Sequence, residues 1–274
     1  MKHIPFRDMY QTDYHLKHLF AINQNWKNRP YFSMMDIPRK TSALIYYKDC
    51  SATYRFSDKE PLCVPRGSLV YLPQGSLYTT SFEELQSSSS HTQLLEFELL
   101  DSLGEPFCAM NEVSIIHTSI DNYQDKFDEL IEICASPFYS HSLMKARVYE
   151  FLHEISKSFH YEKIYSRTFM PIAKGILYLE QNQTYDLSVS QIAQMCHVSE
   201  SCFRRLFQQY CNLTPSEYKM QKLIRRAKVL LRSGNLTVSE VADRLGYEDS
   251  AYFSRIFKKR TGLTPGDYGD KTRA

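Results

Sequence analysis

The stretch "SRIFKKRTGLTPGDY", Ser254 to Tyr268, repeats "RRLFQQYCNLTPSEY", Arg204 to Tyr218, fifty residues after it first occurs. Working outward, the likeness extends back to Leu187 ("LSVSQIAQMCHVSESCFRRLF") and to Leu236 ("LTVSEVADRLGYEDSAYFSRIF"). Ala193 matches Ala242 at an offset of 49, and Phe207 matches Phe257 at an offset of 50, so the second copy has one more residue in its central turn. This is a duplicated helical unit.

Each copy can be read physically. Ser188 to Gln191 and Thr237 to Glu240 have the form of capping boxes, which start helices. Ile192 and Met195, or Val241 and Leu245, supply a buried side, and Ala193 and Ala242 let another helix cross close by. The first helix stops at His197–Val198, or at Gly246–Tyr247, where glycine suits a left-handed turn. Ser199, and either Asp249 or Ser250, cap the next helix. That helix buries Phe203, Leu206 and Phe207 in copy one, and Phe253, Ile256 and Phe257 in copy two. A helix, a tight turn and a second helix with a polar, basic outer face follow the helix-turn-helix plan, in which the second helix enters the DNA major groove. Ser201, Cys202, Arg204, Arg205 and Gln208 are the candidate DNA contacts of copy one. Ser250, Ala251, Ser254, Arg255, Lys258 and Lys259 are those of copy two. Arginine reads guanine by a bidentate contact, so the Arg204–Arg205 pair makes copy one the reader. The short side chains and lysines of copy two suit backbone phosphates, with Arg260 beside them. Asn212 and Gly262 close these helices. A linking helix from Pro215 to about Ser233 is capped by Thr214 and Glu217 and ends at Gly234; it spans about 28 Å. It is basic at Lys219, Lys222, Arg225, Arg226 and Lys228, with Leu223, Ala227, Leu230 and Leu231 as its apolar stripe.

These residues resemble the DNA-binding domain of the AraC/XylS family of bacterial transcription regulators. The resemblance covers Ile172 to Tyr268. It is carried by "A-x3-H-V-S-E-S-C-F-R-R-L-F" from Ala193, "AKVLL" from Ala227 and "VADRLGYEDSAYFSRIFKKRTGLTPGDY" from Val241. One position departs: where the family has an arginine four residues before the linking-helix alanine, this chain has Leu223. The resemblance implies double-stranded DNA as a partner, a homodimer, a small-molecule effector such as a sugar, and RNA polymerase as a further contact.

The rest of the chain fits two domains, as 274 residues suggest. Charge is uneven: residues 1–169 hold 17 Lys and Arg against 21 Asp and Glu, and residues 170–274 hold 16 against 10. A basic C-terminal part points to a polyanion. Residues 1–40 show no clear period. "SALIYY" (Ser42–Tyr47), "SATYRFS" (Ser51–Ser57), "GSLVYLP" (Gly67–Pro73) and "TQLLEFELL" (Thr92–Leu100) read as short strands of a barrel or sandwich, with Ser87–Ser90 as a loop. From Asp121 the period turns helical. Phe127, Leu130, Ile131 and Cys134 share one stripe, and Val148, Phe151, Leu152, Ile155 and Phe159 share another. Residues 160–168 read as a polar linker.

The expected fold is therefore α+β. The resemblance implies that residues 1–120 form a cupin-like effector-sensing β domain, 121–165 a helical dimerisation or linker segment whose helices pack on the barrel or on a second copy, and 166–274 the all-α DNA-binding domain. "GSLVYLPQGSLY" is similar to the G-x5-P-x-G core of cupin barrels. No H-x-H occurs, so neither a metal nor another cofactor is expected, and the protein reads as a sensor and not an enzyme. Arg55, Tyr71, Tyr78 and Glu98 are the candidate effector contacts. An alternative is a cupin-type carbohydrate enzyme fused to a DNA-binding tail; a third reading is an architectural DNA-bending protein with a side-chain-filled barrel. Seven cysteines without a CxxC pair, no secretory leader and no long apolar run predict a cytoplasmic protein away from membranes.

Overall fold

The computed structural model describes residues 2–271 apart from 11, 86–90, 118–122 and 183–186, so the serine loop expected at 87–90 lies outside the described residues. The chain divides into two compact units, Met1–Tyr161 and Glu162–Ala274.

The first unit contains β1 (Lys2–His3), α1 (Phe6–Met9), β2 (Tyr14–Gln24), β3 (Tyr31–Ser33), β4 (Ser42–Tyr47), β5 (Ser51–Arg55), β6 (Leu62–Val64), β7 (Leu69–Leu72), β8 (Thr79–Glu83), β9 (Thr92–Asp101), β10 (Pro106–Cys108), β11 (Ser114–His117), α2 (Tyr123–Ala135) and most of α3 (His141–Ile164). One sheet runs β1-β10-β9-β4-β7-β11, with β2 also paired along β9; a smaller sheet runs β3-β8-β5-β6. The larger sheet is a middle layer. From β4, Ala43, Ile45 and Tyr47 meet Ala52, Tyr54, Tyr78 and Phe82 between the sheets. The alternate residues Leu44 and Tyr46 meet Phe127, Leu130, Val148 and Phe151 beneath the helices. Burial on both faces is why "SALIYY" is an unbroken apolar run. Gly67 and Gly75 bracket β7 at φ 81° and 82°, a left-handed backbone that glycine adopts without a Cβ penalty.

Two sequence expectations change here. Residues 1–40 are not featureless: β2 pairs along β9 from Tyr14–Asp101 to Gln24–Thr92. Its period was hidden by a register shift between Lys17 and Phe20, where His18 takes φ 51°. Residues 160–164 are the end of α3 and not linker, anchored by the fully buried Ile164. Along β9, Leu95, Phe97 and Leu99 pack beneath the helices, and Glu96 on the other face lines an interior cavity.

The second unit begins with a 3-10 turn (Met170–Ile172) and continues with α4 (Ala173–Gln181), α5 (Val189–Met195), α6 (Glu200–Cys211), α7 (Pro215–Ser233), α8 (Val238–Arg244), α9 (Ser250–Thr261) and α10 (Pro265–Lys271). The expected capping boxes form at Ser188–Gln191, Thr214–Glu217 and Thr237–Glu240. The backbone N–H of Thr214 and that of Thr237, followed by each hydroxyl, hold the Glu217 and Glu240 carboxyls below their ordinary pKa. Asp249, and not Ser250, caps α9. His197 and Gly246 occupy matched turn positions at φ 56° and 81°. Asn212 and Gly262 close α6 and α9 in the left-handed conformation. Each short second helix is anchored by two fully buried rings, Phe203 and Phe207 in α6, Phe253 and Phe257 in α9. Met195 is only half-buried, and the position matching the buried Leu245 is held by Cys196, which is buried too. In the first copy α4 crosses so close that a Cβ on Gly175 would lie 2.4 Å from the Phe203 ring. No described helix is long and apolar enough to cross a membrane.

Candidate nucleic-acid interface and interior cavity

The outward faces of α6 and α9 are set by what their cores hold. With Phe203, Leu206, Phe207 and Tyr210 turned inward, α6 exposes Ser201, Arg204, Arg205 and Gln208, while Cys202 is half-buried. Arg204 is held within its own helix: its Nε donates to Glu200 Oε1 at 2.8 Å, and Nη2 lies 2.7 Å from the same oxygen. Arg205 is exposed on the same face.

In α9, Ala251, Arg255, Lys258 and Lys259 are exposed and Ser250 and Ser254 half-buried. The Ser254 hydroxyl, at the position of Arg204, donates back to the Ser250 carbonyl at 2.9 Å, so its one donor is satisfied by its own helix. The sequence reading missed Tyr252. It is 51% exposed and carries the Arg255 guanidinium over its ring at 5.9 Å. Its position one residue before the buried Phe253, matching Cys202, was the available signal. Lys258, Lys259 and Arg260 crowd the last turn of α9, where cations also complement the helix dipole.

The linking helix α7 is less freely basic than its sequence implies. Lys219 donates to the Leu187 carbonyl at 2.6 Å. Lys222 is half-buried, which pushes its pKa down, and lies over the Tyr218 ring. Lys228 and Arg232 both face the ring of Tyr268. Arg225 remains exposed. Leu223 packs against the apolar core of the second copy, so this position serves packing.

In the first unit a cavity of about 130 Å³ lies between the two sheets. Its polar centre is Arg39, only 8% exposed. Arg39 Nη1 donates to the Tyr78 hydroxyl at 3.1 Å, Nε to the Thr41 carbonyl at 3.3 Å, and Nη2 to Glu96. Burial opposes the charge, but Tyr78 and Glu96 more than offset this and raise the guanidinium pKa. Trp26 stacks on Phe82 at 4.1 Å to form an aromatic wall. The Thr80 hydroxyl is buried there without a well-formed hydrogen bond.

The four residues expected to hold an effector are not gathered in one place. Tyr78 lines the cavity. Tyr71 points to the other side of the sheet, where its hydroxyl donates to Ser42 at 2.9 Å and accepts from the Ala109 N–H at 3.1 Å, with its ring against Phe6. Arg55 is on the solvent face of β5 and donates to Ser81 at 2.9 Å. Glu98 pairs with His18 at the β2 irregularity, 3.5 Å away. Arg55 and Tyr71 fail because alternation along β5 and β7 aims them outward or beneath the helices. Glu96 shares the face of Glu98 two residues along, a choice that alternation alone does not make. Arg39 sits in an irregular segment, where no periodicity marks it. Among the described residues no group of three His, Cys, Asp or Glu side chains is placed to hold a metal ion.

Residues 192–271 match a family described as a helix-turn-helix domain. The HTH-type transcriptional activator RhaR of Cronobacter sakazakii is 46% identical over 68 residues, 25% of this chain and 24% of that protein. The C-terminal unit thus carries a helix-turn-helix domain of AraC type. The HTH-type transcriptional regulator YpdC of Escherichia coli, itself uncharacterised, is 32% identical over 91 residues, 33% of this chain and 32% of YpdC. The C-terminal domain of AraT, a response regulator from Geobacillus stearothermophilus, is similar at 27% identity with a TM-score of 0.36, over 39% of this chain and 88% of that one. The matches to RhaR and YpdC thus span a quarter to a third of those relatives' length.

Proposed function

We propose that this chain regulates transcription by binding double-stranded DNA through α6 and α9, under the control of a small neutral molecule held in the interior cavity. The observation that carries the DNA reading is the duplicated scaffold itself. Two short helices, each anchored by a pair of buried phenylalanines, present polar and basic faces. They are joined by a 19-residue helix about 28 Å long, close to one turn of DNA at about 34 Å. Footprinting of a duplex selected from a randomised library tests it. Protection of two successive major grooves on one face is expected; protection of a single groove would refute the paired-head arrangement.

The effector reading rests on the charge balance at Arg39. Glu96 already neutralises the guanidinium, so the site suits an uncharged ligand with several hydroxyls, such as a sugar, against the Trp26–Phe82 wall. In this reading the β unit is a cupin-like sensor, not an enzyme. The α2–α3 hairpin, with Phe138 90% exposed, supplies the homodimer contact, and RNA polymerase is a further partner. A thermal-shift screen of neutral sugars against the full chain is expected to raise its melting temperature, and Arg39→Ala to abolish the rise. A rise with organic anions alone would overturn the neutral-ligand reading.

A further inference from the structure

Arg204 and Glu200 form a pair that the second copy lacks. The guanidinium spends one edge on Glu200: Nε and Nη2 both reach Oε1, at 2.8 and 2.7 Å. Neither side chain is shielded from solvent, at 44% and 41% exposure. The matched residues of α9 are Ser250 and Ser254, whose contact is a hydroxyl turned back on a carbonyl. An exposed pair four residues apart contributes little to helix stability; a carboxylate in the first turn of α6 also complements the helix dipole, but that benefit does not need the contact with Arg204. The carboxylate also places a negative charge on the face that would meet phosphates, which disfavours binding to any sequence.

We infer that Glu200 is a positioning residue for base selection by the first head; this rests on the reading of α6 as a DNA-contacting helix. A free arginine on a helix surface reaches phosphates and several base edges. With its Nε edge held, Arg204 keeps Nη1 and the outer hydrogen of Nη2 as an end-on fork, which fits the paired N7 and O6 acceptors of guanine. The carboxylate therefore trades affinity for all sequences against preference for one base. This gives a signature that a purely structural role would not produce, because affinity and selectivity move in opposite directions.

The test uses the full chain and a duplex selected from a library randomised over two turns of DNA, made with each of the four bases at the position protected by Arg204. Glu200→Ala is expected to bind the three non-preferred duplexes more tightly and the guanine duplex about as before, lowering the preference for guanine roughly tenfold. Glu200→Gln keeps a carbonyl acceptor for Nε and is expected to retain most of the preference. Glu200→Ser, the residue that begins α9, serves if the alanine variant melts early, with the same expectation as alanine. An unchanged preference in both Glu200→Ala and Glu200→Ser, with Arg204→Ala abolishing it, would overturn the positioning role while leaving Arg204 as the reader. Equal weakening of all four duplexes would overturn it too. No loss of preference in Arg204→Ala would remove the reading on which the inference stands.

Discussion

The two helix-turn-helix copies share their hidden side and differ on their outer one. Inside, Phe203 and Phe207 correspond to Phe253 and Phe257, all fully buried, and the first helix of each copy begins with a complete capping box. Outside, Glu200, Arg204, Gln208 and Gln209 become Ser250, Ser254, Lys258 and Lys259. The scaffold requirements are buried volume, caps and two left-handed positions per copy, and the buried rings keep their apolar character between copies. The outer positions carry no packing constraint, so one copy is free to be a reader and the other a grip.

The largest expected effect tests the equality of the cores. Phe203→Ala and Phe253→Ala should each destabilise the fold by about 3–5 kcal/mol, measured by denaturant unfolding. A cost several-fold smaller for one would show that the copies are not packed alike. Next is a point where they differ. Ile172, Gly175 and Leu179 are buried with the spacing of Ile224, Ala227 and Leu231, so the first copy has glycine where the second has alanine. Gly175→Ala drives a methyl into Phe203 and should cost about 1–3 kcal/mol by overpacking. A neutral thermal melt would mean that the ring has room to move. Of similar size is the loss on the outside: Arg204→Ala should cost about 1–3 kcal/mol of specific binding, while Ser254→Ala should leave titrations with the selected duplex nearly unchanged. Equal losses would dissolve the distinction between reader and grip.

A smaller effect concerns the turn. His197 holds a left-handed backbone that Gly246 adopts freely, so His197→Gly should stabilise the chain by about 1 kcal/mol. A lower unfolding midpoint would show that the imidazole contributes contacts worth more than the strain. The smallest is a pH slope. The Glu217 and Glu240 carboxyls are depressed by their caps. Their stabilisation is therefore present above the unfolded carboxylate pKa of about 4.3 and is lost as pH falls through the folded values. The Glu217→Gln, Glu240→Gln double variant should show a shallower decline in melting temperature below about pH 4.3; an unaltered slope would mean that the caps hold as well when protonated.

Much of the second unit was legible because its signals are local. A cap is read three residues from its partner, and a buried stripe from i, i+3 and i+4. Repetition supplied a check, since Gly246 marks the turn that His197 conceals. The first unit was harder to read because its determinants are distant in sequence. Trp26 meets Phe82, Arg39 meets Glu96, and Tyr71 meets Phe6, and no window of residues shows these pairings. Regular strands such as "SALIYY" were visible, whereas β2 was not, because one left-handed residue, His18, shifts its alternation midway. The same distance effect scattered the expected effector residues. Alternation told which face each side chain shared with its neighbours, but not what lay opposite that face.

Arg39 is fastened at backbone as well as side chain: its N–H donates to the Ser76 carbonyl, and its carbonyl accepts from the Gly75 N–H. One residue thus clasps the Pro73–Ser76 turn, charges the cavity and orients Tyr78. The Thr80 side chain, a few residues on, lines the same space, and its hydroxyl makes no well-formed hydrogen bond beyond its proximity to Tyr54. For an evolving lineage these are unequal sites. A change at Arg39 dismantles a turn along with a binding group, whereas Thr80 can become serine or valine at little cost to the fold. New ligand preferences in chains of this architecture should therefore arise by drift at Thr80 around a fixed Arg39, so that the ligand's hydroxyl pattern changes sooner than its charge.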